Sequence, residues 1–166
     1  MLAHEEVTVT VIRLPRTITA LVTGAALAGG GAVLQGLTRN PLVEPALIGV
    51  SGGAALGAAT VIVLGLGGLW LPPMAFAGGL IAALTVFALA RVDGQMSAAT
   101  LLLGGVAINA LTTALLGVLI YAADDQQLRS LMFWLFGSLA RTDWEALRVL
   151  VPLVALCGFV VVREHR

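Results

Sequence analysis

The chain has 166 residues, of which 59% are hydrophobic and only 11% charged, and its formal net charge is zero. Mean hydropathy is +1.02, whereas a soluble domain carries about a quarter charged residues, so the composition is that of a membrane protein. All nine cations are Arg and there is no Lys. That excludes a P-loop, whose lysine holds the nucleotide phosphates, and the neutral balance offers no footprint for nucleic acid.

Residues 1–12 (MLAHEEVTVTVI) carry Glu5 and Glu6 and have neither a basic start nor an apolar run, so they do not read as a signal peptide. Val7, Val9 and Val11 alternate with Thr8 and Thr10, a pattern that predicts a short extended segment or an interfacial lead-in. Arg13-Leu14-Pro15-Arg16 then opens 22 uncharged residues, 17–38. About 20 apolar residues cross the hydrocarbon core as a helix, so a first span is predicted at 17–37. A polar, proline-bounded turn, RNPLVEP, occupies 39–45, and Asn40 before Pro41 is steered out of the helical region.

The 46 uncharged residues 45–90 are too many for one span. They divide at Leu69-Trp70-Leu71-Pro72-Pro73, because paired prolines do not continue a helix and Trp favours the membrane interface. The predicted spans are 47–69 and 74–90. A polar turn at 91–97 ends in Ser97, a fourth span covers 98–122 and a fifth 146–162. Between the last two, the uncharged core 130–140 has 11 residues, too few to cross. Phe133, Trp134, Phe136 and Trp144 cluster there, so this stretch is predicted to be an amphipathic helix at the surface or a shallow re-entrant one. The fold class is all-α: a polytopic bundle of about five transmembrane helices plus one interfacial helix, read as one transmembrane region over 1–166. Five spans place the ends of the chain on opposite sides. With four Arg on one side and five on the other, the positive-inside rule does not decide the orientation.

Four stretches carry a resemblance: RLPR at 13–16, LQGLTRNPLVEPALIGVSGGA at 34–54, LLLGGVAINAL at 101–111 and FWLFGSLARTDWEAL at 133–147. In this order they are similar to the FecCD family, permease subunits of bacterial ABC importers for ferric siderophores, haem and vitamin B12. Family members have about ten spans, so the resemblance implies that 1–166 corresponds to the N-terminal half without the family's first helix. It also implies a bacterial inner-membrane location with RLPR periplasmic and RNPLVEP cytoplasmic. The implied partners are a separate ATP-binding cassette ATPase, a periplasmic substrate-binding protein and a second permease subunit.

Each candidate residue has a structural reading beside the one that the resemblance implies. Arg13 and Arg16 are matched to the pair that meets carboxylates on the binding protein; paired guanidinium forks suit that task, but Arg also snorkels at helix ends. Asn40 is implied as a cytoplasmic gate residue, with Ser97 of the neighbouring turn as its counterpart; the alternative is an Asn that caps free backbone groups. Gln35, one turn back, could share that polar surface. Gly105, Asn109, Thr112 and Thr113 lie on about one face of span four, which the resemblance makes pathway-lining; an interhelical hydrogen bond by Asn109 is the alternative. Gly49, Gly53 and Gly57 recur every fourth residue, as do Gly24, Ala28 and Ala32. These predict close helix packing. Cys157 reads as a small hydrophobe facing lipid or core, and Gly29-Gly30-Gly31, mid-span, is no phosphate cradle.

With His4 and His165 terminal and no clustered ligands, no resident metal, cofactor or catalytic set is expected, and a membrane enzyme is disfavoured. Three functional readings follow. The first is a permease for iron–siderophore chelates, the second a haem or vitamin B12 permease of the same family, and the third a non-transporting remnant. Taken alone, residues 1–166 are expected to insert in a membrane without transporting. Proteoliposomes holding only this stretch, an ATPase and a binding protein test that: uptake above an ATPase-free control contradicts it.

Overall fold

The computed structural model describes residues 8–92, 95–140 and 142–164. His4, Glu5, Glu6, Val7, Arg141 and His165 lie outside them. The described chain is almost wholly helical and divides into two compact units, one made of the residues up to Ala32 with those from Gly137 onward, the other of Val33–Phe136. Among the described residues, four helical segments are long and apolar enough to cross a membrane: Thr8–Thr38, Gly68–Leu89, Ala98–Ala122 and Trp144–Arg163.

In the first unit a wide π-helical turn, Thr8–Arg13, leads into α1, Leu14–Thr38. The extended alternative for Thr8 and Thr10 is thereby corrected: no strand lies beside them among the described residues, and a helix satisfies its backbone internally. The closing helix of the chain, Trp144–Glu164, is nucleated by Asp143, whose Oδ1 accepts the Ala146 N–H at 2.8 Å, a standard N-cap. The indole N–H of Trp144 donates to the Thr10 carbonyl at 3.2 Å, and Leu147 is buried. The small-residue face expected on α1 makes no close contact at its start, since nothing lies within 4 Å of a Cβ built at Gly24; Ala28 and Ala32 are exposed. Cys157 is exposed too, so it does not pack in the core of the described residues.

The second unit holds the C-terminal end of α1, then α2 (Val50–Val63), α3 (Leu71–Leu89), α4 (Ala98–Ala122) and α5 (Asp125–Phe136). The predicted span at 47–69 is corrected here. Only 14 residues are α-helical, about 21 Å at 1.5 Å per residue, against a hydrocarbon core of about 30 Å. At its start the chain runs as a 3-10 helix, Pro45–Ile48, and reverses at Gly49, whose φ of 83° is left-handed and open to Gly without penalty. At its end a Schellman closure forms: Leu66 N–H donates to Val61 O at 3.1 Å and Gly65 N–H to Ile62 O at 3.3 Å, with Gly65 left-handed. The paired prolines begin α3 instead of merely dividing two spans. Pro72 and Pro73 occupy its first turn, where their missing N–H groups cost nothing. In the polar turn, β1 (Arg91–Val92) pairs antiparallel with β2 (Gln95–Met96).

Helices α2 and α3 meet along a glycine seam. A Cβ at Gly53 would strike Gly78 O, one at Gly57 would strike Met74 O, and one at Gly78 would strike Gly53 O. Such contact between backbones is what small residues permit in a membrane helix pair. Val43, Ile48, Val86, Ala90 and Leu101 form the buried cluster at one end of this unit, drawing the 39–49 turn, the end of α3 and the start of α4 together. Helix α5 starts with a reciprocal capping box. Asp124 Oδ1 accepts Gln126 N–H at 2.9 Å and Gln127 N–H at 2.7 Å, while Gln127 Oε1 accepts Asp124 N–H at 3.0 Å. The Gln127 amide also donates to Val63 O at 3.1 Å, tying α5 to the end of α2. The predicted interfacial helix is therefore shifted toward the N-terminus, to Asp125–Phe136, and ends before Gly137.

Five threonine hydroxyls along the helices are satisfied locally, whereas that of Thr19 is buried without a partner. Thr17, Thr38, Thr60, Thr85 and Thr112 each donate to the carbonyl four residues back, at 2.7–2.9 Å, so no uncompensated hydroxyl is left at these positions.

Two substitutions test this packing. Gly57→Val drives a branched side chain into the Met74 carbonyl and is expected to cost about 2 kcal/mol or more, read as a lowered thermal midpoint in detergent. Arg39 has a φ of 51°, a left-handed conformation that costs an L-residue about 1–2 kcal/mol. Arg39→Gly is expected to raise the same midpoint, and an unchanged or lower value contradicts the strain.

Candidate functional site

The polar groups of the second unit converge where the 39–49 turn meets α4. Helix α1 ends in a closure like that of α2, with Arg39 left-handed and the Asn40 N–H donating to Gln35 O at 3.2 Å. The Asn40 side chain folds onto its own turn: Oδ1 accepts the Leu42 N–H at 2.9 Å, an Asx-turn. The Val43 N–H closes onto Asn40 O at 3.4 Å. Gln35 Nε2 donates to Val43 O at 3.4 Å, so Gln35 and Asn40 together shape the turn. The exposed apex carries Leu42, 82% accessible, and the base carries Val43, fully buried.

The next segment rests on α4. Asn109 Nδ2 donates to the Ala46 carbonyl at 2.9 Å, the interhelical bond that was the alternative reading for this residue. A Cβ at Gly105 would strike Leu47 O and lie 3.0 Å from the Ile48 Cα; one at Gly52 would strike Thr112 Oγ1 and come within 3.0 Å of Asn109 Oδ1. Thr112 is buried, and its hydroxyl donates to Ile108 O at 2.9 Å and lies 3.1 Å from Asn109 O. Gly105, Asn109 and Thr112 thus share one face, turned to residues 46–52, whereas Thr113 is exposed on another. Ser97 is exposed at the N-cap of α4, its carbonyl accepting the Leu101 N–H at 2.9 Å.

The Arg pair lies in the first unit and its two members differ. Arg13 is exposed at the end of the π-helical turn. Arg16 is half-buried, and its Nη2 donates to the Ala140 carbonyl at 2.8 Å while its Nε is buried without a partner. Arg13 is the guanidinium presented to solvent, and Arg16 anchors the loop before the final helix.

Of the packing glycines, Gly53 and Gly57 face α3, whereas Gly49 faces α4, with a built Cβ 2.9 Å from Ile108 Cγ2. Sequence reasoning did not single out Gly52, Gly78, Ala46 or Gln127. The signal for Gln127 was present in Asp124-x-x-Gln127, a capping-box spacing; the others act through backbone atoms and leave no such mark. Among the described residues no group of three or more His, Cys, Asp or Glu converges. What the site offers is a pair of backbone carbonyls, Val43 O and Ala46 O, held by the side-chain donors Gln35 and Asn109.

Comparison with known proteins fits this architecture. A profile of the FecCD transport family matches residues 2–166. The hemin transport system permease of Yersinia pestis is 45% identical over 152 residues, covering 86% of this chain and 44% of that protein. The cobalamin import system permease of Halobacterium salinarum is 42% identical over 162 residues, covering 97% of this chain and 44% of that one. The vitamin B12 import permease of Salmonella newport is 43% identical over 155 residues, covering 92% and 47%. Among solved structures, a metal-chelate type ABC transporter in an inward-facing conformation superposes with a TM-score of 0.88 at 34% identity, covering 97% of this chain and 51% of that chain. The chain spans about half the length of each of these. With a family match over nearly every residue and, among the described residues, four helices long and apolar enough to cross a membrane, this multi-pass membrane chain belongs to the FecCD transport family.

Proposed function

We propose that this chain is part of the transmembrane subunit of an ABC importer that moves a bulky metal chelate across the cell membrane. The observation that carries the reading is the superposition on a metal-chelate type ABC transporter, at a TM-score of 0.88 over 97% of the chain. A separate ATPase supplies the energy, a binding protein delivers the chelate, and a second permease subunit completes the pathway. In a bacterium the setting is the inner membrane. Metal tetrapyrroles are the first candidate cargo, because the relatives named above are described as hemin, cobalamin and vitamin B12 permeases; ferric siderophores, favoured on the sequence alone, come second. The metal travels inside its carrier as cargo, so the permease needs a wide, weakly binding route and not a ligand set.

In this reading the residues divide into three groups. Exposed Arg13 meets a carboxylate of the binding protein, and Arg16 holds the Ala140 loop beside it. The Asn40 turn and Ser97 close the cytoplasmic end. Thr113, exposed on α4, is the member of the predicted set that faces the pathway, while Gly105, Asn109 and Thr112 hold that helix against residues 46–52.

Three experiments test the proposal on the assembled transporter in liposomes. ATP-dependent accumulation is expected for haemin or a corrinoid offered with its binding protein; accumulation of a ferric siderophore alone would redirect the cargo, and no uptake from the whole panel would overturn the reading. Arg13→Glu with Arg16→Glu is expected to weaken binding-protein docking about tenfold, about 1.4 kcal/mol, and more at low salt. Unchanged affinity removes the docking role. Asn40→Cys is expected to cross-link to its symmetry mate, or to Ser97→Cys of the second permease subunit, when the cytoplasmic end is closed; no cross-link in any nucleotide state counts against the gate.

A further inference from the structure

From the geometry of the 39–52 segment we infer that Asn109 is a positioning residue that latches the Asn40 turn to α4, so that turn and helix move as one body during transport. The inference rests on the reading of this chain as a transport subunit. Its basis is a convergence at one seam. The Pro45–Ile48 3-10 helix is followed by the left-handed Gly49, which leaves the Ala46 carbonyl outside the α-helical ladder of α2. That carbonyl is a weak acceptor for its own chain, receiving only the Gly49 N–H at 3.3 Å. The shorter bond comes from across the seam, from Asn109 Nδ2 at 2.9 Å.

The surroundings leave little freedom for this contact. At Gly105 the α4 backbone lies so near Leu47 O that a Cβ cannot be accommodated, and a Cβ at Gly52 would strike the Thr112 hydroxyl. Ile48 and Leu101, each 1% exposed, seal one end of the seam. On the other side, Val43 is both the buried anchor of the Asn40 turn and the acceptor for Gln35. A load applied to α4 is therefore passed through residues 46–48 to 43 and the turn. Without the Asn109 donor, the seam keeps its packing and loses the side-chain tie to the Ala46 carbonyl.

Paired spin labels test the latch in the assembled transporter, with Cys157 replaced by Ser. They are placed at Leu42 (82% exposed) and Val118 (65% exposed), away from the seam. The expected result is one narrow distance distribution that does not change between nucleotide-free, ATP-bound and ADP-bound states. Asn109→Leu is expected to broaden it, and to lower chelate uptake per ATP hydrolysed about fivefold, the equivalent of one net hydrogen bond of about 1 kcal/mol. ATP hydrolysis itself is expected to persist, and a broadened distance with undiminished yield of assembled transporter separates lost positioning from misfolding. Asn109→Ala removes the donor without adding bulk; it serves as the second variant should the leucine protein misfold, and the same broadening is expected. A distance that shifts between nucleotide states in the unsubstituted seam overturns the rigid body, and unaltered distributions in both variants overturn the role of Asn109. The spin-label result stands whichever chelate is carried, so it separates failure of the latch from failure of the transport reading.

Discussion

A backbone carbonyl in an apolar setting must be given a donor, and this requirement shapes the second unit. A regular helix meets it internally, but residues 39–49 are not a regular helix. Two of their carbonyls are met by side chains from outside the segment: Val43 O by Gln35 of α1, and Ala46 O by Asn109 of α4. The amides of Asn40 and Val43 are used at the turn itself. The irregular stretch is tolerated only because helices hold it, and it fixes them in return. Without Asn109 or the close approach at Gly105, nothing else among the described contacts would hold the Pro45–Ile48 turn against α4 as tightly.

The same constraint explains where glycine falls. Packing in hydrocarbon gains little from burying apolar surface, since lipid is equally apolar, so close van der Waals approach has to supply the stability. Gly53, Gly57 and Gly78 bring α2 and α3 to backbone contact, and Gly105 does so for α4. By contrast, the apolar side chains of α1 and the last helix in the first unit are largely exposed, Leu21 and Val149 among them. They offer hydrocarbon, or other helices, the kind of surface that the second unit has already used.

Much of this was legible in the sequence. The charge-free runs placed all the long helices, because a membrane span announces itself by composition over about 20 residues. The Asn-Pro turn and the recurrent glycines were visible as backbone signals, and the polar face of span four contained the residue that ties the seam. What escaped was local and mutual. The length of α2 depends on two left-handed glycines, Gly49 and Gly65, which look in the sequence like any of the 20 in the chain. The difference between Arg13 and Arg16 depends on one carbonyl, Ala140, more than a hundred residues away. The role of Asn109 could be narrowed to two readings but not decided, because its partner is a backbone atom of an alanine. Family resemblance supplied the functional frame, and the geometry shows which backbone groups each candidate side chain holds.

Central to this account is a seam that stays closed at residues 46–53 even though the chain there is not a continuous helix. Hydrogen–deuterium exchange of the protein in lipid nanodiscs measures it directly. The account predicts that the amides of Leu47, Gly49 and Gly53, which donate to Glu44, Ala46 and Gly49 carbonyls, exchange as slowly as the interior of α3. Exchange there as fast as in the exposed stretch 64–69 would contradict it.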